Sequence, residues 1–256
     1  MTMKTLLVRA AAIGVCAAVM IVAARPAAAA TFSVNPTQIY LSRQIPSTML
    51  TLRNDSSEPV RFQMSAFAWD QSPAGDIQLG ETSDVIFFPA LVTLNPKEER
   101  KIRVGTVAGV AATEKTYRIF VEELPPPSTS PAEAGVRVLT KMGVPIFVRP
   151  AKELATATLQ SLGAAGGVLH FDVANTGSVH FVPQRLKVRG VAAGGRAAFE
   201  QEVSAWYVLA GGSRRFEVPL PAAECGQVES LVVDFGFGST SLSETLQTPG
   251  GVCAAQ

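Results

Sequence analysis

The sequence predicts an all-β protein made of two β-sandwich domains in series, preceded by a leader that is not part of the fold. Three observations predict it. Apolar residues recur with a period of two through several short runs, the mark of strands with one buried face. Gly166-Gly167, Gly194-Gly195 and Gly211-Gly212 punctuate the second half at short intervals, as turns between short strands do. No stretch beyond the first thirty residues sustains a helical period.

The leader comes first. Lys4 and Arg9 give a positive start, and Ala10 to Ala24 is an apolar run too short for a firm membrane span. Ala28 and Ala30 form the small-x-small pattern of a signal peptidase site, so the expected cut follows Ala30. The alternative is an uncleaved anchor. Removing residues 1–30 from the 256 leaves 226, enough for one large or two ordinary domains, with ample length to bury a core. With 22 basic and 21 acidic side chains the net charge is +1, which argues against a nucleic-acid partner. No later apolar run is long enough to cross a bilayer. Cys16 leaves with the leader; Cys225 and Cys253 remain as a pair suited to an oxidising compartment. A bridge between them would close a loop of about 29 residues, worth roughly 3–4 kcal/mol; two free thiols are the alternative.

In chain order, Thr48-Met49-Leu50-Thr51-Leu52 reads as a strand and Arg53-Asn54-Asp55-Ser56-Ser57 as its turn. Val60, Phe62, Met64 and Ala66 then alternate with Arg61, Gln63 and Ser65, and Lys101-Ile102-Arg103-Val104 alternates the same way. Tyr117-Arg118-Ile119-Phe120-Val121 is a β-branched and aromatic run. Pro125-Pro126-Pro127-Ser128-Thr129-Ser130-Pro131 is a connection inside the first domain, since proline cannot donate to a ladder. Val136 to Val148 is the longest candidate strand. The domain boundary is expected at Arg149-Pro150-Ala151-Lys152, giving domains over 31–149 and 150–256. Strands are expected over Val168–Ala174, Phe181–Val191, Ala198–Val203, Trp206–Leu209, Phe216–Leu220 and Leu231–Phe235.

Catalytic chemistry is hard to find. His170 and His180 stand ten residues apart with no ligand cluster around them, so a strand or surface role outweighs a metal site or a triad. No Gly-x-Ser-x-Gly elbow or phosphate loop appears, and Gly236-Phe237-Gly238 reads as a turn. Glu122 and Glu123 would point to opposite faces of a strand, and a solvated edge is their plain reading. An enzyme, a cofactor and a metal are therefore not expected.

One strand face stands out. Val136, Val138, Thr140, Met142 and Val144 share one side of Val136–Val144; Arg137, Leu139, Lys141, Gly143 and Pro145 share the other. The first side is apolar and is either a surface offered to a partner or an internal core face.

Phe32-Ser33-Val34-Asn35-Pro36-Thr37, Leu50-Thr51-Leu52-Arg53-Asn54, Tyr117 to Pro126 and Phe147-Val148-Arg149-Pro150, with Val232-Val233-Asp234-Phe235-Gly236 in the second domain, carry a family resemblance. In this order they resemble the periplasmic pilus-assembly chaperones of the chaperone–usher pathway. The resemblance implies two immunoglobulin-like sandwiches in an L, a periplasmic location, pilus or fimbrial subunits as clients and an outer-membrane usher as recipient. It implies that the last strand of the first domain completes the client's sheet, with Val136, Val138, Thr140, Met142 and Val144 as the donor surface. It also implies an interdomain ion network of Glu114, Arg149 and Asp234. The family's cleft arginine and lysine, which hold the client's terminal carboxylate, are replaced by Gln38 and Pro145. Gln38, Arg103 and Lys141 are the candidate substitutes. An exposed donor edge also suggests a self-capping dimer. The competing reading is an exported structural or adhesive module.

Overall fold

A computed structural model describes residues 32–126 and 138–248. The first half holds β1 (Phe32–Asn35), β2 (Ile39–Leu41), β3 (Ser47–Asn54), β4 (Val60–Gln71), β5 (Ile77–Gly80), β6 (Val85–Phe88), β7 (Leu91–Leu94), β8 (Glu99–Thr106), β9 (Lys115–Leu124) and β10 (Lys141–Val148). The second holds β11 (Ala157–Ala165), β12 (Val168–Asn175), β13 (Arg185–Ala192), β14 (Ala197–Glu202), β15 (Ser213–Pro219), β16 (Val228–Phe237) and β17 (Thr240–Gln247). Among the described residues, helix is confined to single turns at Ala193–Gly195 and Ala222–Cys225, and no helix is long and apolar enough to cross a membrane.

Two sandwiches result. In the first, the sheet β1-β3-β8-β6 faces the sheet β2-β10-β9-β4-β5, with β7 also on β4. Period-two alternation places Leu50, Leu52, Phe62, Leu94, Ile102, Ile119 and Ile146 between these sheets with no solvent exposure. In the second, β11-β12-β15 faces β14-β13-β16-β17, and Leu169, Val173, Val188, Leu231 and Val233 are fully buried there.

Each sandwich has a buried asparagine where a strand turns out of a sheet. Asn54 Nδ2 donates to the carbonyls of Glu58, Leu94 and Asn95, while its Oδ1 accepts from the Ser56 N–H and hydroxyl. Asn175 Nδ2 donates to the Val179 and Val208 carbonyls, and its Oδ1 accepts from the Gly177 N–H. Both side chains satisfy loop groups that would otherwise be buried unpaired. Cys225 is buried and disulfide-bonded; its expected partner, Cys253, lies outside the described residues.

Several expectations change. The strand expected over Val136–Val148 begins at Lys141; Val138 to Thr140 lie outside it, and Val136 is outside the described residues. Trp206–Leu209 forms no strand, only a bridge between Val208 and Phe181, and the strand expected from Phe181 starts at Arg185. Aromatic and β-branched runs raise strand propensity, but here Trp206, Tyr207 and Leu209 serve contacts between the sandwiches, and Phe181 and Val208 pack in the second core, instead of extending a ladder.

Candidate functional site

The site is built on β10. Its partner β9 pairs with it antiparallel from Lys141↔Glu122 to Val148↔Lys115. The Glu123 N–H donates to the Thr140 carbonyl (2.9 Å), which sets the parity: even-numbered residues of β10 turn their backbone groups to β9. Odd-numbered ones turn theirs the other way, and there the Arg149 N–H meets the Leu41 carbonyl (2.9 Å). On that side β2 pairs with Ile146–Val148 alone. Lys141 to Val144 therefore has one unpaired border among the described residues. Lys141 and Gly143 offer it N–H groups; Pro145 has none to offer.

Side chains follow the same parity. Met142 packs on the first core, and Val144, 1% exposed, is part of it. The donor assignment of Val144 is thereby corrected: it sits opposite Ile119, and its side chain is part of the first core. Val138, by contrast, is 81% exposed, and Thr140 is half-buried. The odd side looks out of the sandwich. Gly143 has no side chain there because the Phe120 ring lies over it; a Cβ would come within 2.8 Å of that ring. Lys141 is held by Glu122 (3.0 Å) and lies 5.1 Å from the Phe120 ring centroid.

Directly opposite Pro145 stands Arg118. It is 7% exposed. Its guanidinium lies 4.2 Å from the Trp69 ring centroid and 4.9 Å from that of Trp206, so each indole face stabilises the cation. It forms no ion pair among the described residues, and its Nε has no hydrogen-bond partner. Burial lowers its pKa from the ordinary value, with the Tyr207 hydroxyl opposing. The Trp69 Nε1 is unpartnered as well. Two buried N–H donors and a cation without a counter-charge are chemically matched to a carboxylate.

The sandwiches meet beside this cation. Trp69, Phe147, Tyr207 and Leu209 form a third buried cluster. His180 stacks on Phe147 at 3.7 Å between centroids. Its Nδ1 donates to Glu114 Oε1 (2.5 Å), and its backbone N–H donates to the same oxygen (3.2 Å). Gln38 Nε2 donates to the Tyr207 hydroxyl, and its Oε1 accepts from the Tyr40 hydroxyl. At the far end the Arg215 N–H donates to the Pro73 carbonyl (2.7 Å), and Arg214 lies against Gly75.

Residues 31–153 match the family model "Pili and flagellar-assembly chaperone, PapD N-terminal domain". The first sandwich therefore matches the N-terminal domain of the pili and flagellar-assembly chaperones. Solved chaperones share the fold across both sandwiches. The CsuC–CsuE chaperone–tip adhesion subunit complex, from archaic chaperone-usher Csu pili of Acinetobacter baumannii, has 18% identity. It covers 84% of this chain and 98% of that one at a TM-score of 0.58. The Salmonella enterica SafA pilin–SafB chaperone complex has 14% identity, coverage of 87% and 98%, and a TM-score of 0.57. The E. coli chaperone DraB has 19% identity, coverage of 84% and 96%, and a TM-score of 0.56. No curated protein sequence matches the chain.

The expected ion network does not assemble. Glu114 goes to His180, Arg149 to Glu153 (3.3 Å) and the Tyr40 ring, and Asp234 to Arg189 (2.9 Å) and Ser243. Each charge takes a nearer partner; for Asp234 that partner is on the adjacent strand β13. Arg103 is also corrected: it lies on β8 in the other sheet, donating to Ser47 Oγ, across the sandwich from β10. Gln38 is at the junction and Lys141 beside the border, but each is already engaged. Glu123 is buried, not solvated. The sequence reading missed Arg118, His180, Trp69 and Tyr207 as site residues. A lone cation inside the apolar run Tyr117–Val121 was the one signal for Arg118.

Proposed function

We propose that this chaperone is exported to the periplasm, captures pilus subunits by lending them the open border of β10, and passes them to an outer-membrane usher. The observation that carries the reading is the border itself: among the described residues, Lys141–Val144 is unpaired on one side and leads into Val138, 81% exposed. A client strand adding there gains main-chain hydrogen bonds from Lys141 and Gly143. Val138 and Thr140, with Val136 outside the described residues, would enter the client's groove. Each inserted aliphatic side chain contributes roughly 1.5–3 kcal/mol. Arg118 would receive the client's terminal carboxylate, taking the part of the absent arginine and lysine. The role is binding without catalysis.

The test is capture of co-expressed subunits in the periplasm. Val138→Glu puts a charge where an apolar pocket closes, so capture should fall at least about ten-fold while the fold persists. Normal capture by that variant overturns the reading. Arg118→Gln should abolish the preference for a client tail ending in a free carboxylate over an amidated one.

A further inference from the structure

β10 changes partner part-way along one side. From Ile146 to Val148 that side is covered by the chain's own β2, and from Lys141 to Val144 it is open among the described residues. The change falls at Pro145. Parity places residue 145 among those whose backbone faces β2, as Arg149 does in donating to Leu41. In a parallel ladder the next rung beyond Ile146↔Ile39 needs the N–H of residue 145, aimed at the carbonyl of Thr37. Proline has no N–H. Thr37 and Gln38 are a bend, and the Gln38 side chain is directed to Tyr207 and Tyr40 instead.

We propose that Pro145 is the stop that ends the chaperone's self-pairing, so that β2 cannot advance along β10 and the Gly143 and Lys141 rungs stay free for a client. Nothing is lost on the β9 side, because Pro145 and Arg118 form a pair whose backbone groups point away from each other. The same residue fixes register. A client strand can pair as far as Gly143 and must finish at Pro145, beside Arg118. Proline at this position therefore both keeps the border open and sets where the client's end comes to rest.

The inference rests on β10 being the client border, but its first test needs only the chaperone. Amide exchange is measured residue by residue in the wild type and in Pro145→Ala. The amides of Phe147 and Arg149 serve as the paired reference and that of Gly143 as the open one. Alanine fits the backbone that proline adopts, so the fold is retained. In the variant the new amide at position 145 should exchange at least about ten-fold more slowly than that of Gly143, as for an amide held in a ladder. Client capture should weaken about five-fold, since the added rung must be displaced. An amide at that position exchanging as fast as Gly143 overturns the stop. Pro145→Ser repeats the measurement should the alanine variant lose stability. If no client binds even the wild type, the function proposed above fails while the exchange result still decides the role of Pro145.

Discussion

Glu114→Ala is expected to uncouple the two sandwiches. The Glu114 side chain is 1% exposed and the His180 side chain 10%, so this pair is shielded from solvent screening. The carboxylate accepts from His180 Nδ1 and from the His180 N–H. A hydrogen bond to a charged group contributes about 1.5–3 kcal/mol, and truncation also leaves two donors buried and unpaired. The expected loss is about 3–5 kcal/mol, in the range for removing one member of a buried pair. Glu114→Gln keeps the shape and should cost roughly half as much. The chain carries its own reporter, because its two tryptophans, Trp69 and Trp206, lie 5.8 Å apart at this junction. In urea, wild-type tryptophan fluorescence and far-ultraviolet dichroism should change together. In Glu114→Ala the fluorescence midpoint should fall by about 1–2 M and precede the dichroism. Coincident transitions within about 0.5 M of the wild type would refute the idea that this buried pair joins the sandwiches.

Three further outcomes are expected. All three tyrosines, Tyr40, Tyr117 and Tyr207, have raised pKa values, in each case mainly through burial. The folded state thus favours the neutral hydroxyls: their contribution is complete below about pH 10 and is lost as pH rises above it. Tyrosinate absorbance should appear together with unfolding; tyrosinate forming near pH 10 in a folded chain would contradict the burial argument. At the acid end, Asp84 is lowered mainly by the Tyr117 hydroxyl and Asp172 mainly by Arg215, so what they contribute is present above about pH 4 and is lost below it. Asn175→Ala removes three hydrogen bonds from a site 3% exposed and should cost about 2–4 kcal/mol. Calorimetry should show the second sandwich melting first, and an unchanged profile would contradict the role given to Asn175.

The regular strands were legible because alternation is a local property: β4, β8 and β9 all carry it in plain view. The site was legible only as far as its strand. That Val144 is core while Val138 is open depends on where β2 and β9 stop, which no spacing within β10 encodes. The ion network failed for a related reason. Glu114, Arg149 and Asp234 are charges of suitable sign, but pairing depends on distance, and His180, Glu153 and Arg189 are nearer. Arg118 was hidden because its setting comes from afar: Trp69 is on β4, and Trp206 comes from the second sandwich.

Eight residues of β10 serve the first core, the contact with the second sandwich and the unclaimed rungs, sorted by nothing but odd and even position. Adding one residue between Val138 and Thr140 would leave the interior undisturbed yet turn every side chain upstream to the opposite face. Divergence in this segment is therefore freer in the kind of amino acid than in their number, and a new client is more readily met by exchanging side chains than by lengthening the ribbon.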